Sequence, residues 1–380
     1  MKHKYLLLAF LFALVACGNA NGSKPSVDTL PPPPPDDSLS RDIGMMLLVG
    51  FRGTDIDTAA NSDIVSALRD YHVGSVILFD YDCPSGRRGR NIQDPIQVQR
   101  LCSQLRQLNP SLLIGIDQEG GKVSRLATRY GFPAIPSAEY CAGKGDDTIT
   151  LYAQLTAQTL SLLGINLNFA PVADVNVNPA CPVIGKIQRS FSADPDRVAH
   201  CCSLWIDAQN AFGVVSCLKH FPGHGSAKGD THLGLVDVTA TWKSLELKPY
   251  RALSQKAPMI MTAHVVNRQL DPSGLPASLS PAITSYLRDT LAYDGVIVTD
   301  DLAMGAIIKE YSFETAVRMA VIAGADLLCL SNNGTSGYDP LMTARAAYVI
   351  RQMVTSGEIS ADRIRRSADR VRSLSLQAIR

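Results

Sequence analysis

The feature that most constrains this chain is a repeat. Seven short apolar runs recur along it: SVILFD (75–80), LLIGID (112–117), INLNFA (165–170), VVSCLKH (214–220), PMIMTAH (258–264), GVIVTD (295–300) and ADLLCL (325–330). Runs this uniformly apolar suit parallel strands covered on both faces. Between them lie helix-period segments, as where Val98, Leu101, Cys102, Leu105 and Leu108 recur three or four apart. Repeated strand-then-helix units allow a (β/α) barrel or a doubly wound sheet. The strand ends favour the barrel. Nearly every run stops at or just before a polar group: Asp80, Asp117, Asp174, Lys219 and His220, His264, Asp300, or Ser331 with Asn332. A barrel gathers all such ends around one mouth, whereas a doubly wound sheet collects only those beside its switch point. The segment MMLLVGF (45–51) fits either the missing strand or a first helix. The pattern continues to a basic amphipathic helix around 361–378, so residues 39–380 are expected to form one α/β domain.

The N-terminal residues belong to a different class. A cationic start precedes an apolar run, 5–16, shorter than the roughly 20 residues a spanning helix needs, so residues 1–16 are expected to be a signal peptide. The run ends LVAC, which resembles the lipobox of bacterial lipoproteins and makes Cys17 the expected lipidation site. Residues 17–38, with five consecutive prolines at 31–35, are expected to form a polar polyproline linker. The expected location is the bacterial cell envelope, lipid-anchored and facing the periplasm or the exterior. Eight further cysteines permit disulfides but leave 105 pairings, and none is readable. No CxxC pair occurs, which argues against a thiolate zinc site, and Cys217 and Cys329 read as buried small hydrophobes. With 19% charged residues and a formal net charge of +1, the chain offers nucleic acid no electrostatic footing.

Three stretches carry candidate chemistry. In GVIVTDDLAM, strand alternation sends Asp300 and Asp301 to opposite sides, so one faces the mouth. Asp300 is the better candidate, and Asp301 equally well caps a helix. IDQEGGKVSRL (116–126) sets Asp117 and Glu119 before a Gly-Gly turn, with Arg125 eight residues after Asp117; it lacks phosphate-loop spacing. The carboxylate and guanidinium suit a polyhydroxylated ligand, or else a plain ion pair. KHFPGHGSAKGDTH (219–232) holds His220, His224 and His232. Zinc is the obvious reading, but Pro222 and Gly223 break the helix that would align His220 with His224, so no metal is expected. Asp230, two residues before His232, instead suggests an imidazole oriented by a carboxylate for general acid and base work.

KHFPGHG, followed by Asp230-Thr231-His232, together with Thr299-Asp300-Asp301-Leu302 and Asp117-Gln118-Glu119-Gly120-Gly121, resembles the β-N-acetylhexosaminidases of glycoside hydrolase family 3 over roughly residues 40–335. The resemblance implies a single (β/α)8 TIM-like barrel without cofactor. It makes Asp300 the nucleophile of a retaining reaction and His232 the acid/base with Asp230 as partner. It gives Asp117, Arg125, Arg189, Lys219 and His220 the terminal N-acetylglucosamine unit to bind. The implied substrates are muropeptides or chitin-type oligosaccharides, with a monomer expected and phosphate a conceivable second acceptor. A surface-anchored glycan-binding lipoprotein without catalysis is the rival reading. Two departures from the family pattern stand out: Lys122 where arginine is usual, and altered spacing before Arg189 in IGKIQRSF (184–191).

Overall fold

The computed structural model describes residues 33–56 and 62–378. The expected signal peptide, Cys17 and the linker as far as residue 32 lie outside them. Eight parallel strands form the barrel: β1 (Leu47–Gly50), β2 (Ser75–Leu78), β3 (Leu113–Ile116), β4 (Leu167–Asn168), β5 (Val215–Phe221), β6 (Met259–Thr262), β7 (Val296–Thr299) and β8 (Leu328–Leu330). Each pairs with its neighbours in sequence order. β8 pairs back onto β1 with Leu328 opposite Leu47, and a Val298–Leu327 bridge joins β7 to β8. The MMLLVGF segment thus supplies the eighth strand. Glycine is required at its end, because a Cβ on Gly50 would stand 1.9 Å from the Ser331 carbonyl oxygen.

Crossover helices return the chain between strands, and several begin on a signal visible in the sequence. Asp94-Pro95, Asp194-Pro195 and Ser280-Pro281 each cap a helix, the first residue accepting a backbone N–H and the proline occupying the first turn. Among the described residues no helix is long and apolar enough to cross a membrane. The eight described cysteines are free thiols, seven buried and Cys83 exposed, so the disulfides their even number allowed are not formed.

Side-chain alternation along the strands divides the core in two. Leu48, Ile77, Leu113, Leu167, Val215, Cys217, Met259, Met261, Val296, Val298 and Cys329 fill the barrel interior. Leu47, Val76, Ile114, Leu218, Ile260 and Ile297 point outward into the helical layer. At the N-terminal end the last helix, Ala361–Gln377, adds Ala368, Val371 and Leu374 to the interior cluster. At the other end the same alternation selects the residues of the mouth. The inward series of β3 runs on to Asp117, that of β5 to Lys219 and that of β7 to Asp300. For β2 the inward series continues through Phe79 and Tyr81, which leaves Asp80 on the other side.

Candidate active site

A cavity of about 280 Å³ opens at the C-terminal ends of the strands. Its lining includes Asp117, Glu119, Arg125, Arg189, Lys219, His220, His232 and Asp300. A larger hollow of about 790 Å³, lined by Lys256, Asp294 and Arg370 among others, lies at the opposite end of the strands. Lys256 and Arg370 there are spent on ion pairs with Asp207 and Asp294, and no catalytic constellation accompanies them.

The floor of the mouth is an ion network. Lys219, 2% exposed, extends Nζ to Asp117 Oδ1 at 2.8 Å and to Glu119 Oε1 at 2.7 Å. Arg189 grips Glu119 with two parallel bonds of 2.8 Å and donates a third, also 2.8 Å, to the Val183 carbonyl. Arg125 reaches Asp117 Oδ2 at 3.3 Å. Burial alone would raise both carboxyls. Arg189 and Lys219 instead bring Glu119 down to about 2, and Lys219 with Arg125 holds Asp117 below its ordinary value. Burial likewise opposes the charge on Lys219, but Asp117 and Glu119 outweigh it and raise its pKa. The network therefore stays charged, with Asp117 left partly exposed as an acceptor for ligand hydroxyls.

The histidine loop builds the adjoining wall. His220 Nδ1 lies 2.7 Å from Asp174 Oδ2, and Arg189 approaches His220 Nε2 at 3.4 Å. Nδ1–H therefore donates to Asp174 and Nε2 is left as the acceptor, a tautomer assigned from these partners. His224 donates its backbone N–H to the same carboxylate at 2.7 Å; its ring is buried and pushed down to about 4 by that burial. His232 stands further out, its side chain 64% exposed, with Nδ1 2.7 Å from Asp230 Oδ1. Asp230 also accepts the His232 backbone N–H at 2.8 Å, which fixes the ring plane and leaves Nε2 free.

Asp300 follows β7 into the cavity. Burial raises its pKa, but His264 and His220 more than offset this and leave the carboxyl below its ordinary value. Asp301 also borders the cavity, but its carboxyl is taken up: it accepts N–H bonds from Ala303 at 3.1 Å and Ser331 at 3.0 Å, together with the Ser331 hydroxyl. It caps a turn rather than a helix. His264 is fully buried, between the Ser278 hydroxyl at 2.6 Å and the Asp301 carbonyl at 2.8 Å, so it supports the turn beside Asp300 instead of facing the cavity.

Cys17 lies outside the described residues; every predicted catalytic and sugar-binding residue except Asp230 lines the cavity, and Asp230 sits directly behind His232. Arg189, whose spacing departs from the family pattern, reaches the network because the short turn Gly185–Ile187 folds its segment back. Glu119 and Asp174 stand in the sequence only as acidic residues near strand ends, and their partners come from the structure: Glu119 is the shared anchor of Lys219 and Arg189, and Asp174 the anchor of His220 and His224. Among the described residues, no three or more His, Cys, Asp or Glu are grouped so as to hold a metal ion.

Barrel, buried cation network and an acidic strand end facing an imidazole together define a carbohydrate-processing class of site. Comparison with known proteins agrees: residues 38–374 match the glycosyl hydrolase family 3 N terminal domain, and the chain belongs to glycoside hydrolase family 3. It is 33% identical over 275 residues to the β-hexosaminidase of Pseudomonas aeruginosa (strain LESB58), covering 71% of this chain and 78% of that one. Among solved structures, the family 3 β-N-acetylglucosaminidase from Paenibacillus sp. str. FPU-7 superposes with a TM-score of 0.80 at 35% identity, covering 90% of this chain but 62% of that chain. The β-N-acetylhexosaminidase from Beutenbergia cavernae does so at 0.78 and 29%, covering 90% and 99%.

Proposed function

We propose that this chain is an exo-acting, retaining β-N-acetylhexosaminidase that removes terminal β-linked N-acetylglucosamine from peptidoglycan fragments or chitin-type oligosaccharides. The observation that carries the reading is the pairing, at one cavity, of the low-pKa carboxyl of Asp300 with a His232 ring already oriented by Asp230. Retaining glycosidases ordinarily use two carboxyl groups for these tasks. Here the Asp300 carboxylate bonds to the anomeric carbon as the glycosidic C–O bond breaks, and His232 Nε2–H passes its proton to the departing oxygen. In the second step His232 takes a proton from water, the water oxygen bonds to the anomeric carbon, and Asp300 is released. Asp117, Arg125, Arg189, Lys219 and His220 hold the hydroxyls of the cleaved sugar. Relatives bearing the names β-hexosaminidase and β-N-acetylglucosaminidase support this sugar specificity.

The test is hydrolysis of an aryl N-acetyl-β-glucosaminide beside the matching β-glucoside. Wild type is expected to turn over the first and discriminate against the second. Asp300→Ala is expected to abolish turnover, and His232→Ala to lower it by roughly 10²–10⁴-fold. No turnover by wild type would leave the non-catalytic glycan binder standing. We also propose that Cys17 carries a lipid that ties the barrel to the bacterial envelope through the linker at 17–38. Cys17→Ser is then expected to move the protein from the membrane fraction to the soluble fraction, and unchanged membrane recovery would refute the anchor.

A further inference from the structure

Ser331, just past the end of β8, lines the cavity but has no task in the reaction described above. Asp301 lines it too, next to the nucleophile, and takes no part in the bond changes. The two residues are bonded to each other twice. Asp301 Oδ1 accepts the Ser331 backbone N–H at 3.0 Å, and Oδ2 accepts the Ser331 hydroxyl. The Ala303 N–H adds a bond to Oδ1 at 3.1 Å, while His264 Nε2 lies 2.8 Å from the Asp301 carbonyl oxygen. Asp301 is thus held at its carboxyl and at its carbonyl. Its backbone N–H remains, and this donates to Asp300 Oδ1 at 2.8 Å.

The far end of this chain of bonds is itself fixed. Arg90, its side chain fully buried and paired with Asp82 at 2.5 Å, donates to the Ser331 carbonyl at 3.2 Å and to the Asn332 carbonyl at 3.1 Å. The Asn333 N–H donates to the Ser331 hydroxyl oxygen at 3.1 Å. A cap for the turn after β7 needs only the Ala303 bond. The double grip of Ser331 goes further, tying that turn to the end of the neighbouring strand across 30 positions. Its last link is a charge-assisted bond to the Asp300 carboxylate inside the cavity.

We propose that Asp301, braced by Ser331, is a positioning residue whose N–H pins Asp300 Oδ1 and thereby makes Oδ2 the oxygen that attacks the sugar. The inference rests on the hexosaminidase reading, in which Asp300 is the nucleophile. As Oδ2 bonds to the anomeric carbon, the electron pair of the glycosidic C–O bond passes to the departing oxygen, which takes its proton from His232. Oδ1 becomes the carbonyl oxygen of the glycosyl ester and still accepts the same N–H. When water displaces the ester, negative charge returns to a carboxylate at which a donor is already aimed, so no donor has to move. The role is one of shape rather than charge. An asparagine at 301 would keep it, its amide oxygen accepting the two N–H bonds and its NH2 donating to the Ser331 hydroxyl oxygen.

The experiment measures kcat and KM on an aryl N-acetyl-β-glucosaminide, with the affinity for N-acetylglucosamine taken by calorimetry and the melting temperature recorded for each variant. Asp301→Ala is expected to lower kcat on the order of 10²-fold, the effect of a misplaced reacting group, while sugar affinity changes no more than about threefold. Asp301→Asn is expected to stay within about fivefold of wild type. Ser331→Ala, which keeps the backbone N–H bond, is expected to lower kcat about tenfold. Wild-type kcat in Asp301→Ala, an Asp301→Asn variant as slow as Asp301→Ala, or a fall in kcat matched by an equal fall in sugar affinity overturns the positioning role. Should Asp301→Ala not fold, Ser331→Ala decides, and an unchanged kcat there overturns the role equally. Wild-type turnover separates the two failures: if the aryl compound is cleaved, these outcomes count against the positioning role alone, and if it is not, the hexosaminidase reading fails and the role falls with it.

Discussion

Asp300 and Lys219 show how one buried charge dictates the state of another. Lys219 neutralises two carboxylates that would otherwise be buried against each other, so its removal leaves Asp117 and Glu119 poorly compensated. Lys219→Met is expected to cost on the order of 3–5 kcal/mol and to lower the melting temperature measurably, beyond any loss of sugar binding. A variant with wild-type stability would show that the pair is not what holds the floor together. At this scale the sequence was read well where a functional group follows directly from a strand: Asp117, Lys219 and Asp300 all continue inward-facing series. It was read poorly where a role depends on distant partners. Glu119 meets Arg189 across 70 positions and Asp174 meets His220 across 46, separations on which local periodicity is silent. Asp80 misled for a simpler reason, since counting by twos from Ile77 passes through Phe79 and Tyr81 and skips it.

The histidine loop is the element whose structure departs most from expectation. Glycine-rich loops are ordinarily pliable, yet residues 221–227 are all buried. A Cβ on Gly225 would stand 1.8 Å from the Val175 carbonyl oxygen, and one on Gly223 would stand 2.7 Å from Glu246 Cβ. These glycines permit close packing, and only the outer part around Gly229 and Gly234 is open. Gly225→Ala is accordingly expected to displace the loop and cut kcat/KM at least tenfold while the barrel still folds, which circular dichroism beside kinetics would check. Beneath Gly223, Glu246 is fully buried, and burial lifts its carboxyl from 4.5 to about 7, with hydrogen bonds from Ser226 and Lys243 only partly opposing. The folded state therefore holds this proton more tightly than the unfolded state does, so its contribution to stability is complete below pH about 4.5 and is lost as pH rises through about 7. The interval corresponds to roughly 3 kcal/mol at most. Melting temperature is expected to decline from pH 5 to pH 8 in wild type and to decline less in Glu246→Gln; parallel profiles would exclude Glu246 as the source.

For the whole molecule, the barrel was legible because its signal is redundant: seven apolar runs each repeat the same statement, and an error in one leaves the count nearly intact. β1 was the uncertain one, since LLVG is too short for periodicity to separate strand from helix, and only its pairing with β2 and β8 decides. Cysteine pairing was illegible for the opposite reason, because nothing local distinguishes a buried thiol from half of a disulfide. With seven of the eight described cysteines buried as free thiols, the chain from residue 18 onward is expected to take up one equivalent of iodoacetamide when native, at Cys83, and eight when denatured. Mass spectrometry that found fewer than eight after denaturation without reductant would reveal a disulfide.

The loop after β5 is fastened twice: beyond its tip Val236 pairs with Val265, just after β6, and the tip itself is tied to the turn after β7. The Ala306 N–H donates to the Thr231 carbonyl at 3.0 Å, Lys309 Nζ donates to the Leu233 carbonyl at 2.6 Å, and a Cβ on Gly305 would stand 2.4 Å from the His232 carbonyl oxygen. His232 and Asp300 are thereby referred to one local frame, spanning β6, so breathing of the barrel as a whole moves them together and preserves their separation. For anyone transplanting this chemistry to another barrel, the unit of transfer is consequently a discontinuous pair of segments, roughly 219–234 with 299–309, and neither would work when moved alone.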